Sequence, residues 1–257
     1  MKLKKLLALA LASTMVFSMA ACGDKKESDK KTGNVDKVTV ETVLEAFKQY
    51  TENDDECYSY DMIMTMKIEA AEMSIELDSE QNVKANGGVK YVKDTSTTSM
   101  LGESDSTVTE TYTITKEDGT VIEAAKEASD DEWDVYEVYE EEDAENKVDI
   151  EELAKSAKIE NDGHNYYVTA TVNADEMGLT ESGMMEDAED VSVDVIITYN
   201  AKEKDITAID IDMDQEIIES LFSALLGEVE VKEFTMKMEN IKKCDETIEI
   251  PSDIELD

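Results

Sequence analysis

Arginine is absent from this 257-residue chain, so all 24 basic side chains are lysine. That removes the planar fork which grips phosphate or carboxylate in two places at once. Histidine occurs once, at His164, and cysteine three times. A zinc centre needs several Cys or His ligands, and a serine or cysteine nucleophile needs a positioned base. The chain lacks the ligands for the first, and a catalyst of the second kind would have to use His164, yet neither cysteine nor any serine has a supporting motif. No phosphate loop and no dinucleotide fingerprint occurs either. The chain reads as a non-enzyme that needs no cofactor and no metal.

What is abundant is acid. Asp and Glu number 64, and the formal net charge is −40. Such a chain excludes nucleic acid as a partner, because phosphate binding depends on cation density. It is also repelled by an anionic membrane surface. High charge with few aromatics is a mark of disorder. Yet several stretches keep strict apolar alternation, which a disordered chain has no cause to keep. A folded, soluble and monomeric domain is expected.

The first 22 residues divide into three zones. Met1 to Lys5 is basic, Leu6 to Met19 is uncharged and mostly apolar, and Met19-Ala20-Ala21-Cys22 closes with small residues before a cysteine. A run of about 14 residues is short for a permanent span and suits a signal h-region. The tetrad resembles the bacterial lipobox, with Met where Leu is usual. The resemblance implies diacylglyceryl transfer to the Cys22 sulfur and cleavage before it. From Gly23 to Asp36 the only apolar residue is Val35, so this stretch reads as a solvated tether. The predicted organisation is a signal peptide over 1–21, a flexible tether over 22–37 carrying the lipidated Cys22, and one domain over 38–257. Loss of the signal's three lysines takes the charge from −40 to −43. With no basic patch, the lipid is the sole attachment to the extracytoplasmic face of the cell membrane.

Past the tether, Thr39 begins a helix whose Val40, Val43, Leu44, Phe47 and Tyr50 share one face. The period then changes to two. Tyr58, Tyr60, Met62, Met64, Met66 and Ile68 form the clearest strand, and Met73, Ile75 and Leu77 continue the pattern. Turns are signalled at Asn86-Gly87-Gly88 and at Asp118-Gly119, with strands at 89–92, before 115 and after 120. Trp133 to Tyr139 reads as a further strand, and Asp149 caps a short helix through Ala157. Alternation resumes at Tyr166–Val172, Val191–Tyr199 and Thr207–Met213. A helix is predicted over Gln215–Leu226, and the last long strand, from Val229 to Met238, slips phase at Lys232-Glu233 as a bulge requires. The sum is an α+β fold: a curved antiparallel sheet of about nine or ten strands, covered on one face by helices.

This order, with a leading helix, a strand meander, a helical insertion and the tail MKMENIKKCDETIEIP, resembles the LolA/LolB/LppX-like superfamily of half-barrels. Several members carry lipids or lipoproteins across the cell envelope. The resemblance implies a lipid or other hydrophobic ligand held in a cavity between sheet and helices. The lid-fastening arginine of the best-known carriers has no counterpart here. The tether and lipobox are more similar to surface lipoproteins of Gram-positive bacteria.

The methionines are the candidate ligand residues: Met62, Met64, Met66, Met73, Met213, Met236 and Met238 all fall on apolar strand faces. Thioethers suit a cavity that reshapes around acyl chains, and they serve equally as ordinary core filler. Cys57 and Cys244 either pair or remain thiols. Asp210, Asp212 and Asp214 imitate a calcium loop, but Gln215 and Leu221 stand where glycine and glutamate are needed, so they read as the wet face of a strand. The acids of 127–152 read as a solvated face, and His164 as a turn residue. Trp133, Tyr136 and Tyr139 are either a recognition strip or half-buried sheet aromatics.

Metabolic labelling with palmitate should mark the wild-type full-length chain and not Cys22→Ser, with the variant released from membranes. Equal labelling of both proteins would remove Cys22 as the anchor.

Overall fold

The computed structural model describes residues 38–52, 57–70, 73–116, 118–138, 150–173, 192–215, 218, 219, 222, 229–244 and 246–254. Cys22, the signal peptide and the tether lie outside the described residues.

Thr39 opens the first helix, α1 (Val40–Glu52), with a reciprocal cap. The Thr42 N–H donates to Thr39 Oγ1, and the Thr39 N–H donates to Thr42 Oγ1, both at 3.3 Å. There follow β1 (Tyr58–Ala70), β2 (Met73–Asn86), β3 (Val89–Met100), β4 (Glu103–Thr115), β5 (Val121–Glu127) and β6 (Asp134–Val138). After α2 (Ile150–Ser156) come β7 (Lys158–Asn161), β8 (Asn165–Asn173), β9 (Ser192–Asn200), β10 (Asp205–Met213) and β11 (Val229–Lys243). Of the predicted helix over 215–226, the described residues Gln215, Ile218, Glu219 and Phe222 are helical.

All eleven strands form one sheet in the order β6-β5-β4-β3-β2-β1-β11-β10-β9-β8-β7. Every pairing is antiparallel. The chain meanders outward from β1 to one edge at β6, resumes at the other edge with β7, and returns to place β11 beside β1. The sheet does not close. Both edge strands are short and carry charge at exposed positions, including Asp134 and Glu137 on β6 and Lys158 and Glu160 on β7.

The expected α+β half-barrel, with helices over the concave face, is therefore corrected to a predominantly β fold built on one open sheet. Helix length shows why. Thirteen residues of α1 run about 20 Å, while eleven strands spread over about 48 Å. The helix can cover only a few strands. The sheet is not buried on one face alone, either. From β8 through β2 the buried apolar residues lie on the side of α1, here the helix face, where Val43, Leu44 and Phe47 share a cluster with Met62, Val168, Ile197 and Ile209. Across β3 to β5 the other face is buried. There Tyr112, Ile114 and Ala124 pack against Ile248, Ile250 and Ile254 of the C-terminal segment. This is the tail face.

The register slip expected at Lys232-Glu233 is present: Lys67 pairs with Glu233 and Ile68 with Val231, skipping Lys232. A second slip lies opposite Tyr60, where Asn240 takes φ +56°. Thr207 forms a further irregularity, so Ile206 and not Thr207 takes the inward position opposite Tyr199. Strands β3 and β4 run well past their predicted spans, and β7 was not predicted.

Cys57 and Cys244 are joined, with Sγ–Sγ 2.04 Å, at one end of the β1–β11 pair. The Cys244 N–H also donates to Cys57 O at 3.0 Å. Loop-closure entropy over 187 residues sets an upper bound of about 5 kcal/mol on the bridge's stabilisation. Reduction, or Cys57→Ala with Cys244→Ala, should therefore lower unfolding stability in urea by about 2–5 kcal/mol. An unchanged urea midpoint would contradict this.

Candidate functional site

Paired β residues share a face, so the registers align the candidate methionines. Met62 lies opposite Met238 and Met64 opposite Met236, making a block of four on the central strand pair. Met66 follows, opposite Phe234. All five of these methionines are buried. Met62, Met236 and Met238 belong to one buried cluster with Val43, Leu44 and Phe47 of α1, and Met64 and Met66 to another with Ile218 and Phe222. Met213 is half-buried beside both clusters. Met73 stands apart at the β1–β2 hairpin end and is exposed.

The methionine block is also a chemical boundary. One row across the helix face reads Val168, Ile197, Ile209, Met238, Met62, Gln81 and Asp94 in order of adjacent strands. The next reads Ala170, Val195, Ile211, Met236, Met64, Ser79, Ser96 and Thr107. Both rows are hydrocarbon on one side of the thioethers and hydrogen-bonding on the other.

That polar side was not legible as a site. The notable positions are Ser79, Gln81 and Ser96, which are among the few buried polar residues of the described chain. Ser79 Oγ donates to Asp94 Oδ1 at 2.7 Å, and Ser96 Oγ and Thr107 Oγ1 share a hydrogen bond of 2.8 Å. Gln81 is 4 % exposed, and its Oε1 accepts no hydrogen bond among the described residues. Burial pushes the Asp94 carboxyl above its ordinary range, against the opposing effect of hydrogen bonds from Ser79 and Gln81. A signal did exist: Ile75, Leu77, Ser79, Gln81 and Val83 hold one period-two phase, with polar residues in inward slots.

The remaining candidates lie elsewhere. Asp210 pairs with Lys237 and Asp212 with Asp194, on the face opposite the methionines. The exposed His164 sits in a turn organised by Asp162, whose Oδ1 accepts the N–H groups of His164 and Asn165 at 2.9 and 2.8 Å. Trp133 meets Tyr112 edge-on at 5.5 Å, with Lys126 Nζ 5.7 Å from its centroid. Tyr136 is exposed and bonded to Glu123 on the helix face, so it does not form one strip with Trp133. Tyr139 and the rest of the acidic run from 140 to 149 lie outside the described residues. Among the described residues no helix is long and apolar enough to cross a membrane. No protein-family model matches the chain, and no curated protein matches it.

The raised carboxyl of Asp94 has a definite sign in stability. A folded-state pKa above the unfolded value means that the native state holds the proton more tightly. That contribution favours folding at low pH and is lost as pH rises through the folded pKa. Asp94→Asn should therefore gain stability relative to wild type as pH rises through and above the ordinary carboxylate range. Urea midpoints across that range check it; a difference independent of pH would contradict it.

Proposed function

We propose that this chain is a lipid-anchored, non-enzymatic lipoprotein of the extracytoplasmic membrane face, which holds a lipid or other hydrophobic ligand against its helix face. The anchor rests on the signal architecture and on Cys22. The ligand reading rests on one observation above the rest: Met62, Met64, Met236 and Met238 meet as a block at the sheet's centre. Unbranched thioethers can repack around a chain without the strain that branched residues would suffer. The cover over them is discontinuous in sequence, being α1 on one side and Ile218 with Phe222 on the other. A ligand could enter between two such pieces without opening the sheet.

A second reading is a structural or interaction module of the cell surface with no small-molecule ligand. The full burial of those methionines beneath apolar side chains favours it, since this is what core filler does.

Native mass spectrometry of the full-length protein, extracted gently from membranes, separates the two. The ligand reading expects an added mass in the lipid range beyond the anchor, and a lower unfolding temperature once it is stripped. A bare mass, with stability unchanged by delipidation, would favour the structural module.

A further inference from the structure

Gln81 is the one described side chain with a buried polar atom left unbonded. Its position gives that fact a direction. Met62 lies beside it on β1 and Asp94 on β3, so the orphan carbonyl stands where the helix face passes from thioether to hydrogen-bonding groups. A buried acceptor without a donor is costly, and in folded proteins such a group is met by a water, an ion or a ligand. Gln81 and Ser79 both direct donors at Asp94. The cluster therefore offers acceptor atoms, Gln81 Oε1 and the carboxylate, and has already spent its nearest donors.

We propose that Gln81 and Asp94 form a head-group subsite for a neutral, hydroxyl-bearing amphiphile, such as a glycerol monoester. Its acyl chain lies along Met62, Met64, Met236 and Met238. This rests on the hydrophobic-ligand reading and adds the polarity of the ligand's head. A hydroxyl donates to Gln81 Oε1 and to Asp94, whereas a free fatty acid brings a second carboxylate to Asp94 with no arginine anywhere in the chain to offset it. The burial that raises the Asp94 carboxyl points the same way, because a partly desolvated acid suits a neutral partner. The surrounding hydroxyls of Ser79, Ser96 and Thr107 suit the rest of a polyol.

The test is equilibrium binding of radiolabelled 1-monoolein and oleate, which share a chain and differ in the head, to the full-length protein in nanodiscs. Wild type should prefer monoolein by about tenfold or more. Gln81→Met, close to isosteric and apolar beside Met62, should weaken monoolein about tenfold with little effect on oleate. Asp94→Asn keeps the shape and removes the charge, so it should strengthen oleate and narrow the preference. Circular dichroism confirms that each variant is folded; Asp94→Asn alone decides the matter if Gln81→Met is not. Equal binding of both lipids, unchanged in both variants, would overturn the subsite and leave the hydrophobic-ligand reading standing. Failure of wild type to bind either lipid would overturn both. A preference for oleylamine over monoolein would replace the hydroxyl head by a cation and overturn the neutral-ligand assignment.

Discussion

The pairing of β1 with β11 is the constraint on which the rest of the structure depends. It joins segments at opposite ends of the folded chain, and every other strand lies to one side or the other of this central ladder. Strand β11 has 15 residues against 13 in β1, and the two slips at Lys232 and Asn240 absorb the difference. Each slip returns the apolar phase to the helix face, so Val231, Met236, Met238 and Ile241 all remain buried. Asn240 is also tied locally. Its Nδ2 donates to Asp61 Oδ2 while Asn82 donates to Oδ1, both at 2.8 Å, so one carboxylate spans three strands. Where β10 no longer accompanies β11, Gln215 and Glu219 take over. Gln215 donates to Val231 O at 2.8 Å, and Glu219 accepts the Val231 N–H at 3.0 Å. That carboxylate is held below its usual range, first by the backbone hydrogen bond.

From this ladder the two halves diverge. The β7–β11 half buries branched aliphatics against α1 and α2, and its outer face includes Asp194, Asp210, Asp212, Lys237 and Glu239. The β3–β6 half buries aromatics against the C-terminal segment, with Tyr91 and Tyr112 4.9 Å apart and Trp133 beyond. Asn86 Nδ2 helps to hold that segment by donating to Glu246 O at 2.8 Å. The sheet therefore changes its buried side across β2 to β4. The polar cluster of Ser79, Gln81, Asp94, Ser96 and Thr107 lies on the helix face at that change. Fold and candidate site have one origin: where the apolar residues turn away to the tail face, hydrogen-bonding groups remain beside the methionines.

Strands rich in Val, Ile and Met were legible because period-two alternation is a local signal. The Thr39 cap, the Gly87-Gly88 turn and the Lys232 slip were legible for the same reason. The middle of β3 and β4 was not. Its cross-strand side-chain contacts include hydroxyl pairs, Ser96 with Thr107, Thr97 with Ser106 and Ser99 with Ser104, and these carry no hydropathy pattern. Strand β7 offers only Ile159 as an apolar residue. The fold class failed at a deeper level. Alternation says that one side of a strand is buried, but non-local register decides which side it shares with its neighbours. Tyr112 and Met62 look alike in this respect and lie on opposite faces. Gln81 was missed because an inward polar residue reads as the end of a strand until its partners are known.

The central claim is that the β1–β11 methionine block is where a ligand is held. Methyl-selective NMR of methionine-labelled full-length protein, titrated with 1-monoolein, tests it most directly. The account predicts saturable shifts at Met62, Met64, Met236 and Met238, with the exposed Met73 unmoved. Shifts confined to Met73, or no shift at the four central methyls at saturating lipid, would contradict it.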